Sequence, residues 1–369
     1  MKKANAGQSL LFLFLLFGLF LTNLLMPDRR FSEIENRNLA QKPDFSWESL
    51  FSGRFMQNFE EYVTDQFAGR DGWTAIKAYA ERIMGRAENN GIYICGDTLV
   101  ERFDAIDRAQ LESNLQATDR FAESAGIPVY LMLIPTAAEI WKDRLPDGAP
   151  NIDQAALLAQ IAGQARAQVI DACSALAEHA DEPIFYRTDH HWTSLGACYG
   201  TNALLSAMGK EGVSPDRWTA ETVSANFCGT LWSASGARYV SPDSMEIYVP
   251  AEGIGVYSFA DGQWTERPLY DREKLETKDK YSMFLGGNQP LAVVETGSEG
   301  EKLLLIRDSY ADSMVPFLTG AFSEIHLIDL RYYREDAAAY ARENGIDCAV
   351  VCYSLKNFVS DKNVYFLGK

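Results

Sequence analysis

The sequence is short of basic residues and has no repeated architecture. It has 34 Lys and Arg against 51 Asp and Glu, which gives a formal net charge of -17. This balance argues against a nucleic-acid partner, because such binding depends largely on neutralising phosphates with basic side chains. No internal repeat is visible, and no low-complexity tract apart from an apolar run near the N-terminus. With 47% apolar and 12% aromatic residues, the 369-residue chain can bury a large core, which argues against disorder.

The sequence also lacks a cysteine pattern typical of a metal site. Its six cysteines do not show the paired spacing of a zinc ribbon. Two of them, Cys348 and Cys352, lie in an apolar run that is typical of a strand, where both side chains would point to the same face. We therefore interpret the cysteines as small buried hydrophobic residues.

The N-terminus carries the one long apolar segment. Two lysines at positions 2 and 3 precede an uncharged run over residues 10–26, which is at the lower limit of length for a membrane-spanning helix. No Ala-x-Ala-like cleavage site follows it. We expect an uncleaved single-pass anchor in the cell membrane with the body outside the cytoplasm, and a cleaved signal is the alternative.

From residue 110 onward, helix and strand patterns alternate. Residues 129–134 form a continuous apolar run that Pro135 stops, as expected of a strand buried on both faces. Further strands are predicted at 302–306, 325–328 and 348–353, and helices at 110–126, 154–165, 195–208 and 335–344. This alternation predicts an α/β fold with a parallel sheet and helices on both faces.

The same patterns predict a division of the chain. The membrane anchor or signal covers residues 1–26, and a helical stalk covers 27–88. The α/β domain has its first part at 89–212 and its second part at 301–369. Residues 213–300 are rich in Gly, Ser, Thr, Tyr and Trp, and we expect them to form a β-rich insertion.

Histidine is scarce, and two of the four histidines are adjacent. His190 and His191 follow Asp189, and a carboxylate can fix the tautomer of an imidazole that accepts a proton near pH 7. Ser309 follows the predicted strand 302–306 at its carboxyl end, where open parallel sheets bind ligands. We predict that Ser309 is a nucleophile, His191 its base and Asp189 the group that orients the base. An ordinary helix cap is the alternative for Ser309.

A family resemblance extends this hypothesis. Residues 188–192, Thr-Asp-His-His-Trp, resemble the signature of the DHHW family, which is similar to the SGNH-like domains of alginate O-acetyltransferases of the AlgX and AlgJ type. Residues 31–37, 65–67 and 307–310 resemble that group too. The resemblance implies an SGNH-like, flavodoxin-like fold with a circularly permuted motif order, because the histidine precedes the serine. Arg307 departs from the family pattern, which has a glycine before Asp-Ser.

Further site residues follow from the resemblance and from position. In SGNH folds an asparagine after a strand completes the oxyanion hole, and Asn357 is the candidate here, with a loop asparagine as the alternative. Arg331, after another strand, would orient a carboxylate or glycan, or else form a structural ion pair, and Tyr310 is a third candidate for oxyanion or substrate contact. His190 and Trp192 would support the site. Adjacent histidines point apart and no partner ligands are present in the pattern, so no metal and no other cofactor is expected.

The resemblance implies an extracytoplasmic O-acetyltransferase. It would form an acetyl-serine intermediate and acetylate a cell-surface polysaccharide, and a membrane-bound O-acyltransferase partner would supply the acetyl group. One alternative is a carbohydrate acetylesterase with the same triad and water as acceptor. Another is a non-catalytic envelope scaffold or glycan-binding protein that keeps the fold.

Overall fold

A computed structural model describes residues 2–32, 34–35, 37–250 and 253–368. Glu33 and Asn36, in the segment 31–37 that resembles the family, lie outside these residues. The chain divides into two compact units. The smaller unit runs to Arg86 and includes Ser233–Arg238, and the larger unit contains Ala87–Trp232 and the chain from Tyr239 onward.

Thirteen α-helices are present in the described part of the chain. They are α1 (Lys2–Leu25), α2 (Trp47–Phe51), α3 (Arg54–Asp65), α4 (Arg70–Ile83), α5 (Arg108–Ala125), α6 (Ala137–Ile140), α7 (Gln154–Ala162), α8 (Ala172–Ala177), α9 (Ser194–Ala207), α10 (Thr230–Ser235), α11 (Val315–Leu318), α12 (Ala337–Glu343) and α13 (Leu355–Phe358). Short 3-10 turns occur at Lys142–Arg144, Pro215–Arg217, Arg272–Glu276, Lys280–Met283, Ser309–Ser313 and Lys362–Gly368.

The same residues contain fifteen strands. They are β1 (Phe31–Ser32), β2 (Arg37–Asn38), β3 (Glu88–Asn89), β4 (Ile92–Cys95), β5 (Thr98–Glu101), β6 (Val129–Ile134), β7 (Gln168–Ile170), β8 (Thr219–Phe227), β9 (Asp243–Val249), β10 (Gly255–Ala260), β11 (Gln263–Arg267), β12 (Leu291–Glu295), β13 (Lys302–Arg307), β14 (Glu324–Ile328) and β15 (Cys348–Ser354).

The smaller unit begins with the apolar helix α1. Its segment Gly7–Leu25 is 19 residues long, and by length and composition it can cross a membrane. Among the described residues it is the only helix with this property. A signal sequence and a membrane anchor both fit such a helix near the N-terminus.

An eight-stranded sheet in the order β11-β10-β12-β14-β13-β15-β6-β7 forms the centre of the larger unit. The five strands from β14 to β7 are parallel, whereas β10, β11 and β12 pair antiparallel. The sheet is therefore mixed and mostly parallel, and the predicted parallel arrangement holds for five of its eight strands. The antiparallel strands all come from the stretch 213–300, and two of them, β10 and β11, are joined by a two-residue turn at Asp261 and Gly262, whose positive φ angles of 51° and 76° suit a tight hairpin.

The inner parallel strands of the central sheet are buried on both faces. In β13, Leu303 and Leu305 belong to one apolar cluster, while Leu304 and Ile306 belong to another. Helices α8, α9 and α11 supply side chains to the first cluster, and α5, α7 and α12 supply side chains to the second. This alternation explains why the parallel strands are continuous apolar runs in the sequence.

The strongly patterned elements lie where the sequence predicts them. Strand β6 covers the predicted residues 129–134. Helix α5 ends at Ala125, and Gly126 caps it in the left-handed region with φ 71°. Cys348 and Cys352 are buried in the same apolar cluster, which confirms that they share a face of β15.

Residues 213–300 contribute to two sheets. Strands β8 and β9 pair with each other in a separate antiparallel sheet. Strands β10, β11 and β12 extend the central sheet on the side of β14. Much of this stretch is therefore continuous with the central sheet.

Candidate active site

Ser309 lies just beyond the carboxyl end of β13, in the 3-10 turn Ser309–Ser313. The Asp308 carboxylate caps this turn by accepting the backbone N–H of Tyr310 at 3.0 Å. It also accepts the backbone N–H of Ser354 at 2.9 Å and the side-chain amide of Asn357 at 2.8 Å. Asp308 thus fixes the serine turn against the end of the neighbouring strand β15.

His191 lies in the loop before α9, next to the buried Trp192. The indole N–H of Trp192 donates to the Tyr310 carbonyl and to the Ser313 hydroxyl, both at 2.9 Å. Gly200 in α9 makes room for the indole, because a Cβ there would lie 2.6 Å from its ring. Trp192 therefore joins the histidine loop to the serine turn.

The three predicted residues form a continuous hydrogen-bonded chain. His191 Nε2 lies 2.8 Å from Ser309 Oγ, and His191 Nδ1 lies 2.6 Å from Asp189 Oδ1. Because an ionised carboxylate only accepts hydrogen bonds, this contact assigns the ring proton to Nδ1 and leaves Nε2 as the acceptor for the serine hydroxyl. Asp189 and His191 are buried and Ser309 is half-buried, so the hydroxyl end of the chain is the accessible one.

A second group of contacts holds the Asp189 carboxylate. Its Oδ2 accepts the backbone N–H of Thr230 at 2.7 Å and the Thr230 hydroxyl at 3.0 Å. Gly229 allows this approach, since a Cβ there would come within 2.3 Å of Asp189. The same Thr230 hydroxyl lies 2.7 Å from His190 Nδ1, which orients the neighbouring imidazole.

Burial and charge set the ionisation of the pair. Burial lowers the pKa of His191 below its usual 6.5, and the charge of His190 lowers it further, while Asp189 opposes both effects. Burial alone would raise the pKa of Asp189. The two imidazoles and the Thr230 amide outweigh it and hold the pKa of Asp189 below its usual 3.8. At neutral pH the arrangement is a carboxylate beside a neutral imidazole.

Tyr281 packs directly on the imidazole of His191. Its ring is stacked on that of His191, with a centroid distance of 3.7 Å and an angle of 8° between the planes. The Tyr281 hydroxyl donates to the Ser313 hydroxyl at 3.0 Å, and Ser313 belongs to the serine turn. Tyr281 therefore restricts the imidazole to one plane.

A buried charge cluster lies beneath the serine turn. The guanidinium of Arg307 is 2.9 Å from the Asp312 carboxylate and 3.8 Å from that of Asp329. All three side chains are almost completely buried. Burial raises the pKa of Asp312 to about 7, although Arg307 opposes this shift. Arg307, which departs from the family pattern, thus anchors the turn from below.

The remaining predicted residues have these positions. Asn357 is exposed and uses its side-chain amide on Asp308, next to Ser309. Tyr310 donates its hydroxyl to the His190 carbonyl. Arg331 binds Asp329 through contacts of 2.9 and 2.6 Å. Contact of these side chains with an oxyanion or substrate stays a prediction.

The motif also brings potential metal ligands together. Asp189, His190 and His191 offer one ligand atom each within 4.8 Å of one another. Both ring nitrogens of His191 are already paired, however, one with Asp189 and one with Ser309. A metal ion bound here would have to displace one of these hydrogen bonds.

A separate cavity of 490 Å³ is lined in part by residues that flank the motif in the sequence. Its lining includes Trp141, Tyr186, Arg187, Asp243 and Glu246. The side chains of Asp189, His191 and Ser309 do not line it. The cavity is therefore distinct from the space in front of the serine.

Sequence reasoning missed four residues of this site: Gly229, Thr230, Tyr281 and Asp308. The first three belong to the stretch 213–300, which the sequence predicts only as a β-rich insertion. No local pattern marks them, because each acts through a contact at least forty residues away in the chain. Asp308 carried a signal, since an Asp beside a Ser that opens a helical turn is a typical cap.

The comparisons with known proteins agree with this architecture. The family model described as "DHHW protein" matches residues 122–328, which include Asp189, His191 and Ser309. A crystal structure of a DHHW family protein from Eubacterium siraeum superposes with a TM-score of 0.66 at 24% sequence identity. The alignment covers 76% of this chain and 95% of that chain. No curated protein matches the sequence.

Two structures of PatB1 from Bacillus cereus are also similar. One has a TM-score of 0.63 at 20% identity and covers 75% of this chain and 99% of that chain. The other, which contains a sulfonyl adduct, has a TM-score of 0.62 at 19% identity and covers 74% and 98%. The O-acetyltransferase domain of AlgJ from Pseudomonas putida gives 0.46 at 16% identity, over 72% and 91%. The likeness to the Eubacterium siraeum protein and to PatB1 shows a shared fold.

Proposed function

This chain belongs to the DHHW protein family, and we propose that it is an SGNH-like O-acetyltransferase that acts on a cell-surface polysaccharide through Ser309, His191 and Asp189. The observation that carries the proposal is the unbroken series of hydrogen bonds from Asp189 through His191 to Ser309. A serine that only caps a helix does not require an imidazole beside its hydroxyl. A buried imidazole with a purely structural role does not require an accessible hydroxyl as its partner. Their alignment with a carboxylate is the arrangement that activates a nucleophile.

The first half of the reaction forms an acyl-enzyme. His191 Nε2 takes the proton of Ser309 as Oγ attacks the carbonyl carbon of the acetyl donor. Asp189 stabilises the imidazolium that forms, through its contact with Nδ1. The tetrahedral intermediate collapses, the proton passes from Nε2 to the leaving group, and the acetyl group stays on Ser309.

The second half transfers the acetyl group. A hydroxyl of the polysaccharide occupies the place of the leaving group, and His191 removes its proton as its oxygen attacks the acetyl-serine. Collapse of the second intermediate breaks the bond to Ser309 Oγ, which recovers a proton from His191. The serine hydroxyl is regenerated, and each proton removed is returned, so the cycle needs no cofactor.

The oxyanion of both intermediates needs donors beside Ser309. We assign this role to the backbone N–H of Ser309 and to the side-chain amide of Asn357, which is held next to it by Asp308. One N–H of the Asn357 amide is bound to Asp308, and the second is the one we assign to the oxyanion. Tyr310 and Arg331 remain candidates for substrate contact at the same sheet edge.

We further propose a membrane location. Helix α1 would serve as an uncleaved anchor, with the larger unit outside the cytoplasm, where a surface polysaccharide is accessible. A membrane-bound O-acyltransferase would then deliver the acetyl group from the cytoplasmic side. In this reading, residues 27–88 form a stalk and the residues from 89 onward carry the chemistry.

A transfer assay with the detergent-solubilised full chain tests the proposal. The protein is given a chromogenic acetyl ester with and without an oligosaccharide acceptor, and both acetate release and acetylated oligosaccharide are measured. Ser309→Ala should abolish both products. Ser360→Ala is the matched control, because Ser360 is an exposed serine of the same unit that bonds only the carbonyls of Lys356 and Asn357.

The assay also separates the alternative functions. Acetate release that is dependent on Ser309 but never yields acetylated oligosaccharide would identify an acetylesterase. Equal turnover by the wild type and Ser309→Ala would remove the serine from the mechanism. Absence of any turnover together with binding of the oligosaccharide would favour a glycan-binding protein that keeps the fold.

A further inference from the structure

Helices α2, α3 and α4 of the smaller unit each expose large apolar side chains. In α4, Trp73, Ile76 and Ile83 follow helical spacing and lie on one face. In α3, Met56 and Phe59 are three residues apart, and both side chains are exposed on one face of the helix. In α2, the side chain of Phe51 is 84% exposed. We call the following exposed side chains the apolar platform: Trp47, Phe51, Phe59, Trp73, Ile76 and Ile83.

Where α3 ends and α4 begins, the least exposed contacts are polar and ion-paired. The buried carboxylate of Asp65 binds Arg37 with contacts of 2.8 and 2.5 Å and accepts the backbone N–H of Ala40 at 2.8 Å. Arg70 pairs with Glu35. A water-soluble helical unit normally buries its apolar stripe and exposes its charges. Here the carboxylate of Asp65 is buried, while large apolar side chains of the same helices are exposed.

The end of the apolar helix α1 is attached to these helices. The side-chain oxygen of Asn23, in the last turn of α1, accepts the backbone N–H of Ala68, between α3 and α4, at 2.8 Å. Just beyond α1, Tyr62 donates to Asp28 at 3.0 Å. Arg29 pairs with Asp71 at 2.9 Å. The helices are thus fixed at the level where α1 would leave the hydrocarbon core.

The amino-acid composition of the segment after α1 suits the boundary between the hydrocarbon core and the lipid headgroups. Tryptophan and other aromatic residues concentrate where a protein crosses from hydrocarbon to lipid headgroups, and amphipathic helices lie in that plane with their apolar face in the lipid. Residues 27–86 contain ten acidic and nine basic side chains, so this segment is nearly neutral although the chain has a formal charge of -17. An anionic lipid surface would therefore not repel it.

We propose that the apolar platform inserts into the lipid interface of the membrane that α1 spans, so that the smaller unit lies on the bilayer surface. The proposal rests on the membrane location given above and is independent of the acetyl-transfer chemistry. The platform would thus contact the layer of a phospholipid bilayer in which the headgroups meet the acyl chains.

Quenching of tryptophan fluorescence by brominated lipid tests the proposal on the full chain. The protein is reconstituted into phosphatidylcholine liposomes, with or without bromine near the top of the acyl chains, and floated on a density gradient. Helix α1 contains no tryptophan. We expect the bromine-dependent loss of fluorescence to disappear for the most part when Trp47 and Trp73 are both replaced by Phe.

A matched control is available. Trp264→Phe removes a tryptophan of the larger unit that is 50% exposed, as Trp73 is, and it should leave the loss unchanged. Protein that floats with the liposomes but shows no bromine-dependent loss would overturn the proposal and leave the anchor intact, with a protein partner as the occupant of the platform. Protein that does not float would overturn both the platform and the membrane location.

Discussion

The Nε2 atom of His191 lies 2.8 Å from the hydroxyl oxygen of Ser309, although the two residues are 118 positions apart in the chain. The serine is carried by the end of a central strand, and the histidine by the loop before α9. Trp192 and Asp308 bring the two segments together, since one bonds the serine turn and the other fixes that turn to β15. The predictions below test this arrangement from different sides.

The pH dependence of turnover should report the lowered pKa of His191. A base must be neutral to accept a proton, so activity should fall as the pH drops through the pKa of His191, with a midpoint below 6.5. His190→Gln removes the electrostatic interaction with His190 that lowers the pKa of His191, and we expect the midpoint to move to higher pH. The measurement is kcat/KM for an acetyl ester across the acid range. His179→Gln is the control and should leave the midpoint in place, and an unchanged midpoint in His190→Gln would contradict the electrostatic account.

Gly229→Ala should disturb the carboxylate. The new Cβ would lie 2.3 Å from Asp189, so Asp189 or the Thr230 turn must move. Forced overpacking of this kind costs about 1–3 kcal/mol, and the displaced carboxylate should lower kcat as well. Thermal unfolding and ester turnover check both effects. Gly320→Ala, at an exposed glycine with nothing within 4 Å, should match the wild type, and a fully active Gly229→Ala would argue against the close approach.

The stacked ring of Tyr281 should matter for kcat more than its hydroxyl does. Tyr281→Phe keeps the ring on His191 and loses the hydrogen bond to Ser313, which is worth about 1 kcal/mol. Tyr281→Leu removes the flat surface, and a misplaced base lowers kcat by on the order of 100-fold. We expect KM to change little in either variant. Equal loss of kcat in both variants would point to the hydroxyl instead of the stack.

Asp312 should make stability dependent on pH. Burial raises its pKa from 3.8 to about 7, so the folded protein keeps a proton there that the unfolded chain has lost. The stabilisation is complete below the unfolded value and is lost as the pH rises through about 7. Asp312→Asn cannot ionise. The wild type should therefore lose melting temperature relative to this variant between about pH 5 and about pH 8, and a constant difference would contradict the shifted pKa.

The sequence predicted the local part of this structure. Continuous apolar runs located strands such as β6, and Gly126 located the end of α5 because a left-handed cap favours glycine. The candidates Asp189, His191 and Ser309 followed from residue chemistry and strand order. Each of these signals lies within a few neighbouring residues.

The parts that were missed depend on contacts between distant segments. The antiparallel strands β10, β11 and β12 join the central sheet through pairing with β14, and an alternating pattern does not specify its partner strand. Thr230 lies between β8 and β9 and Tyr281 between β11 and β12, and each contacts Asp189 or His191 only in the folded chain. Their roles are set by tertiary packing, which the local pattern of the sequence does not contain.

The most direct test of the central claim is covalent labelling of Ser309. A fluorophosphonate reacts with a serine that a neighbouring base has activated, and peptide mass spectrometry locates the adduct. We predict one adduct on Ser309 in the wild type, none in Ser309→Ala and strongly slowed labelling in His191→Ala. A wild-type protein whose Ser309 stays unlabelled, or is labelled equally fast without His191, would contradict the account.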